Sequence, residues 1–195
     1  MGTIYTSTST RNINGAEVGT LATAPASGTV TAVIKRIGHF FSIDFTLTAA
    51  RITVTDAAGS GSSGSLKIFT FAAGAILPLG SRQDYTAFTE GAALTTAAGD
   101  AAFVMALGSV AANAGDGALT GTEVDIAPAT ATITLSSGAG TGGKMGGATA
   151  APIDGTTTAV DVYLNWSGTA ATIDANSTID VTGTITVVGC FVGDD

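Results

Sequence analysis

The chain has 195 residues and a formal net charge of −8, and only 11% of its residues are charged, against about 25% in an ordinary soluble domain. Its seven Lys and Arg residues are scattered, which excludes the clustered basic surface that binds a phosphate backbone. Hydrophobic residues make up 45% of the chain, but no apolar run approaches the roughly 18 residues of a membrane-spanning helix, so we expect neither nucleic acid nor a membrane as partner.

Residues 1–28 are predicted to form an extended N-terminal arm, followed by a single β-sandwich domain over residues 29–195. The arm is polar, β-prone and short of core residues. Such arms are either disordered or ordered by pairing with the sheet edge of a neighbour, and the sequence leaves both states open. If the arm attaches the protein to a partner, the predicted contact residues are Thr3, Ile4, Tyr5, Thr6, Arg11, Asn12 and Ile13.

Alternation of apolar and polar residues predicts strands from about residue 29 onward. The clearest run places Phe41, Ile43, Phe45 and Leu47 on one face of a strand, with a bend expected at Ala49 and Ala50. A Gly/Ser-rich stretch at 56–64 then predicts a flexible loop that returns the chain into a strand over 66–71, as a long-looped hairpin.

The second half of the chain predicts one weak helix within residues 84–94 and four strands, at 103–107, 124–135, 160–166 and 179–192, with a break of the second strand at Pro128 left open. The last strand exceeds the usual strand length, so Gly183 and Gly189 are predicted bulge sites. Many strands with polar, Gly-rich turns indicate an all-β, antiparallel β-sandwich of jelly-roll-like type, with a barrel as the second possibility.

The segment Gly138-Ala-Gly-Thr-Gly-Gly-Lys144 matches the first part of a phosphate-binding P-loop. However, Met145 stands where the motif needs Ser or Thr, and the glycines that follow would start a helix poorly. We therefore interpret the segment as a loop between strands.

Other residues that could carry chemistry have simpler structural interpretations. His39 lies in a predicted strand without a recognisable nucleophile motif, and Asp116, Glu123 and Asp125 are either a calcium-binding group or solvated turn residues. We predict no catalytic, cofactor-binding or metal-ligating residue and no cofactor.

Aromatic residues and the single cysteine are assigned by their position in the pattern. Trp166 shares a face with Val162 and Leu164 and is predicted to be core, whereas Tyr85 and Tyr163 are weak candidates for a sugar-stacking surface. Cys190 is predicted to be a buried, inert thiol.

Three stretches of the chain, residues 35–48, the Gly/Ser loop at 59–64 and residues 165–186, resemble small structural proteins of tailed bacteriophages. In that setting the chain is similar to capsid decoration, or cement, proteins. The resemblance implies a β-sandwich on the outer shell, often a trimer, that clamps neighbouring major capsid subunits. It rests on phrases rather than on a diagnostic motif, so it carries over no site residues.

We therefore expect a non-enzymatic virion protein on the capsid exterior, made in the host cytoplasm. Its expected partner is the major capsid protein, and a homo-oligomer, with a trimer favoured, is expected. The arm and the loops around 56–64 and 138–150 are the expected contacts. The alternative is a receptor- or glycan-binding head fibre or adhesin module; an enzyme and a major capsid protein are further alternatives.

Overall fold

A computed structural model describes residues 5–6, 9–11, 17–56, 61–90, 102–113, 117–134, 140–145, 152–168 and 176–192. In these residues the structure is nearly all antiparallel strand, with a single turn of 3₁₀ helix at Gly121–Glu123 and no α-helix. The strands form one curled sheet whose two halves pack face to face. The predicted all-β, antiparallel, jelly-roll-like sandwich is confirmed.

The described residues contain thirteen strands, of very different lengths. In chain order they are β1 Tyr5–Thr6, β2 Ser9–Arg11, β3 Glu17–Leu21, β4 Thr29–Ile37, β5 Phe40–Asp56, β6 Ser62–Phe71, β7 Gly74–Glu90, β8 Ala102–Gly108, β9 Ile133–Thr134, β10 Gly140–Met145, β11 Ile153–Gly155, β12 Asp161–Gly168 and β13 Ser177–Phe191.

The sheet folds into two layers. The long-strand layer has the order β4-β5-β13-β7, with β10 and β11 on the far edge of β7. The short-strand layer has the order β3-β6-β12-β8-β9. The two are continuous where residues 53–56 of β5 pair with residues 62–65 of β6, which confirms the predicted hairpin but with a shorter loop than predicted.

Aromatic side chains from both layers meet in the core. Phe45 of β5 contacts Phe69 of β6 with ring centroids 5.6 Å apart, and Phe88 of β7 contacts Phe103 of β8 at 5.0 Å. Trp166 is fully buried, as its alternation pattern predicted. Burial of these alternating residues is the main force that holds the layers together.

The predicted irregularities of the long strands are confirmed. The β13–β7 register shifts at Gly183 and again at Gly189. A Cβ on Gly183 would lie 2.5 Å from the carbonyl oxygen of Asp84, so only glycine allows this close approach of backbones. In β5 the expected bend coincides with Ala49, whose φ is 48° and whose N–H donates to the hydroxyl of Thr182.

Three predictions of local structure are wrong. Residues 84–90 belong to strand β7 and not to a helix, because they pair in register with β13. Residues 124–132 are irregular and make only an isolated bridge to β8, between Ala127 and Leu107, because Pro128 has no N–H to donate to a strand ladder. Residues 61–64 of the predicted flexible loop are buried, and β6 already begins at Ser62.

Within the predicted arm, Tyr5 and Thr6 form β1, which pairs with Ile34 and Val33 on the edge of β4. Arg11 belongs to β2, which pairs with β3, and β3 pairs with β6. Val18 of β3 is a core residue with 1% exposure. The predicted contact residues Thr3, Ile4, Asn12 and Ile13 lie outside the described residues. The assignment of residues 1–28 as an arm stays a prediction.

Candidate functional site

A row of apolar side chains crosses the outer face of the long-strand layer at one end. Its members are direct cross-strand partners, Ile37 with Phe40, Phe40 with Cys190, and Cys190 with Leu77. Because directly paired residues of neighbouring antiparallel strands point to the same face, the four side chains form a continuous line across β4, β5, β13 and β7. We call Ile37, Phe40, Cys190 and Leu77 the apolar row.

Two members of the apolar row are strongly exposed, and the other two, Cys190 and Leu77, are half-buried. Ile37 is 74% exposed and Phe40 is 60% exposed, and Val192 and Leu79 at its margins are 46% and 39% exposed. The described part of the chain has one other large hydrophobic residue that is exposed, Val110. Scattered apolar residues are normal on a protein surface, but a contiguous exposed group marks an interaction site.

The β4–β5 turn holds two members of the row in place. Gly38 has a left-handed φ of 58°, which favours glycine at this position of a tight turn. Arg36 points to the opposite side, donates from Nε to the carbonyl oxygen of Gly38 at 2.7 Å, and stacks 4.9 Å from the ring centre of Phe191. Partial burial lowers the pKa of Arg36. Ile37 and Phe40 are thus displayed on an anchored hairpin.

Polar residues replace apolar ones further along the same face. Lys35 forms an ion pair with Asp44 at 3.1 Å, and Arg82 forms one with Asp84 at 3.4 Å. Beyond these pairs the face carries exposed threonines, Thr31, Thr46 and Thr184, which are cross-strand neighbours. The apolar character is therefore confined to one end of the outer face.

Cys190 belongs to this surface, so its prediction as a buried thiol is wrong. It is half-buried and lies on the outer side of β13, whereas Val187 and Ile185 of the same strand face the core. The strand alternation explains the difference, because Cys190 is out of phase with the inward residues.

The predicted carboxylate group serves to hold a turn together. Glu123 accepts hydrogen bonds from the backbone N–H groups of Asn113 and Thr120, at 2.9 and 2.8 Å. Asp125 accepts from the backbone and the hydroxyl of Ser109 at 2.8 and 2.6 Å. Burial raises the pKa of Asp125, although the bonds from Ser109 oppose the rise. Asp116 lies outside the described residues, and no group of three or more His, Cys, Asp or Glu able to hold a metal occurs among those described.

The structure also gives the positions of two further candidate residues, Tyr85 and His39. Tyr85, a predicted binding-surface residue, is 1% exposed and donates its hydroxyl to Gln83, so that prediction is wrong. Burial raises the pKa of Tyr85. His39 is exposed in the tight turn between β4 and β5 rather than in a strand, and its carbonyl accepts from the N–H of Phe191 at 2.9 Å.

The glycine-rich P-loop match lies largely in strand β10. Residues 140–145 pair in register with residues 80–85 of β7. A phosphate-binding loop needs free N–H groups that converge at the start of a helix, so pairing as a strand does not fit that role. The interpretation as a loop is also wrong for residues 140–145. Residues 138–139 and 146–150 lie outside the described residues.

The sequence reasoning missed the apolar row and the buried residue Asn165. A signal for the row was present, because Ile37 and Phe40 flank a two-residue turn, Gly38-His39, at hairpin spacing. Asn165 lies on the face of β12 opposite Trp166, but the segment after β8 covers that face, so Asn165 is fully buried and bonds to four groups.

No family model matches the chain, and no curated protein or solved structure is significantly similar to it. Among the residues that the structure describes, no helix is long and apolar enough to cross a membrane.

Proposed function

We propose that this chain is a non-enzymatic virion structural protein that decorates the outer surface of a tailed-phage capsid and bridges its major capsid subunits. The observation that supports the proposal most is the apolar row, an exposed hydrophobic line on a face otherwise covered with threonines and paired charges. Its proposed occupant is an apolar patch on the assembled shell.

The row offers a modest binding energy for each copy. Burying the exposed parts of Ile37 and Phe40 contributes about 1–2 kcal/mol each, on the scale of roughly 1.5–3 kcal/mol for complete burial of such side chains. Burying the neighbouring threonines at an interface costs little desolvation energy compared with burying charged side chains. A weak contact repeated over a lattice gains through avidity, and binding to assembled subunits alone would stabilise the shell.

The N-terminal arm extends the same surface. Strand β1 pairs with Ile34 and Val33 on the outer edge of β4, the strand that also carries Ile37 of the row. Main-chain hydrogen bonds at such an edge are a common mode of attachment between chains. We propose that arm and row together contact the capsid, and that the protein acts as a homo-oligomer, with a trimer favoured.

Gradient sedimentation of a native lysate, with mass spectrometry of the fast-sedimenting particles, tests the proposal. A copy number close to that of the capsid subunit supports decoration. A few copies per particle would favour a fibre or adhesin instead, and recovery only as free protein at the top of the gradient would contradict any virion role.

The single cysteine gives a second test on the same particles. Cys190 lies in the row, so shell binding should slow its alkylation relative to that in the free protein. Unchanged alkylation in fully occupied particles would remove the row from the proposed interface.

A further inference from the structure

A groove of about 500 Å³ lies where the segment after β8, strand β11 and the start of β12 meet. Its floor and walls include the exposed Val110, the half-buried Tyr163, and the carboxylates of Asp154 and Asp161. A second depression of about 390 Å³ is lined by Lys67 and Thr70, which both bond to the carboxylate of Asp161. We refer to the groove together with these two residues as the tract.

One wall of the groove is held rigidly by buried polar groups. Asn165 donates from its side-chain nitrogen to the carbonyl oxygens of Val110 and Glu123, both at 2.9 Å, and accepts from the N–H of Ala112 at 3.0 Å. Asp125 holds Ser109 through two hydrogen bonds. This network explains why residues 109–113 stand against β12, and a preformed wall lowers the entropic cost of binding a ligand.

The opposite wall presents hydrogen-bond acceptors beside an aromatic ring. Asp154 is exposed and accepts from the N–H and the hydroxyl of Thr156 through Oδ1, and these bonds lower the pKa of its carboxyl group. Burial tends to raise the pKa of Asp161, but hydrogen bonds from Lys67 and Thr70 bring it below its usual value. Both carboxylates are therefore ionised acceptors at neutral pH.

We infer that this tract binds a neutral oligosaccharide. An aromatic ring with adjacent apolar surface can pack on the C–H face of a sugar, and fixed carboxylates can accept from its hydroxyl groups. Lys67 neutralises Asp161 at 2.6 Å and supplies a donor. Asp154 and the net charge of −8 disfavour anionic glycans, phosphates and nucleic acid.

The inference goes beyond shell binding and does not depend on it, because the isolated protein should bind the ligand. Saturation-transfer NMR with maltohexaose, cellohexaose, laminarihexaose and N-acetylated chitohexaose at millimolar concentration is the direct test, with hexalysine as a basic probe. We expect at least one neutral hexasaccharide to receive saturation from the protein.

Variants locate the site. Asp154→Ala should weaken saccharide binding about tenfold or more, and Tyr163→Ala should abolish it. Asp84→Ala removes a half-buried carboxylate of the other layer that pairs with Arg82; it is the matched control and should change binding less than twofold. Trp166 emission reports whether each variant is folded, and Asp154→Ala carries the test if Tyr163→Ala unfolds.

Three results would overturn the inference. The first is that none of the four saccharides binds the native protein. The second is that hexalysine binds and the saccharides do not, which would identify a basic peptide as the ligand. The third is that Asp154→Ala, correctly folded, binds a saccharide as well as the native protein does.

Discussion

Asn165 shows how one buried polar residue can organise a surface. Its side chain joins β12 to the segment after β8, and it uses both donors and its acceptor to do so. A buried polar group is tolerable only when its hydrogen bonds are made, so the residue and the segment depend on each other. The sequence pattern placed Asn165 on an outer face, because periodicity does not show that a loop will cover it.

Replacing Asn165 with Asp should lower the free energy of unfolding by at least about 3 kcal/mol, since a carboxylate would then face two carbonyl oxygens in the interior. Urea unfolding followed by Trp166 emission measures the effect. Asn176→Asp is the matched control: Asn176 is exposed and only its oxygen accepts, from the N–H of Asp56, so the change should stay within about 0.5 kcal/mol. Equal losses for the two variants would contradict the role of Asn165.

Replacing Ala49 with glycine should not lower the free energy of unfolding, in contrast to the change at Asn165. A φ of 48° at Ala49 costs a residue with a Cβ about 1 kcal/mol or more, a cost that glycine avoids. Ala49→Gly should therefore leave the free energy of unfolding unchanged or raise it by up to about 1 kcal/mol, after the entropy that glycine adds to the unfolded chain.

Ala50→Gly is the control for this strain, because Ala50 is fully buried in the core. The lost methyl group should destabilise that variant by about 1 kcal/mol or more. Denaturant unfolding of both variants measures the contrast, and an equal destabilisation by Ala49→Gly would show that the bend at Ala49 stores no strain.

Among the secondary-structure elements, alternation predicted the strands that bury one face in the core and expose the other to solvent. Strands β5 and β13 follow the expected pattern closely, and the glycines of β13 mark its bulges, whereas the second half of β12 is buried on both faces. Strand β7 escaped prediction because its apolar residues are interrupted by Pro78 and Gly80 and it gains its stability from pairing with neighbours distant in sequence.

Pro128 and Thr130 explain why residues 124–132 do not form the predicted strand beside β8. Pro128 has no N–H for a ladder, and the N–H of Met105 in β8 bonds to the hydroxyl of Thr130 rather than to a backbone carbonyl, so pairing is reduced to the Leu107–Ala127 bridge. Regular pairing with β8 resumes at β9, Ile133–Thr134.

Removing part of the N-terminal arm tests its proposed role in capsid binding. Deleting residues 2–12 removes β1 and β2 but leaves the buried Val18 of β3, so Trp166 emission and thermal unfolding should stay close to those of the full chain. Binding to capsid shells should be lost, as measured by co-sedimentation. Unchanged binding by the truncated protein would exclude the arm from the interface.

For the whole molecule, composition and alternation predicted the fold class, but the proposed function is argued from the resemblance and from the apolar row. The resemblance to decoration proteins comes from short phrases, while the apolar row depends on the register of β13 and β7 beside the β4–β5 hairpin. The hairpin turn brings Ile37 and Phe40 together, but no local pattern adds Cys190 and Leu77 to them. The same reasoning applies to the groove beside Asp154, whose walls come from three separate segments.

The most direct measurement is the dissociation constant of the Phe40→Ser protein for capsid shells from which the native protein has been removed. Phe40 is exposed, so the fold should tolerate the change. We expect about tenfold weaker binding per site, corresponding to about 1.4 kcal/mol, whereas Thr48→Ala at the polar end of the same strand should change it less than twofold. Native affinity for a folded Phe40→Ser protein would contradict shell attachment through the apolar row.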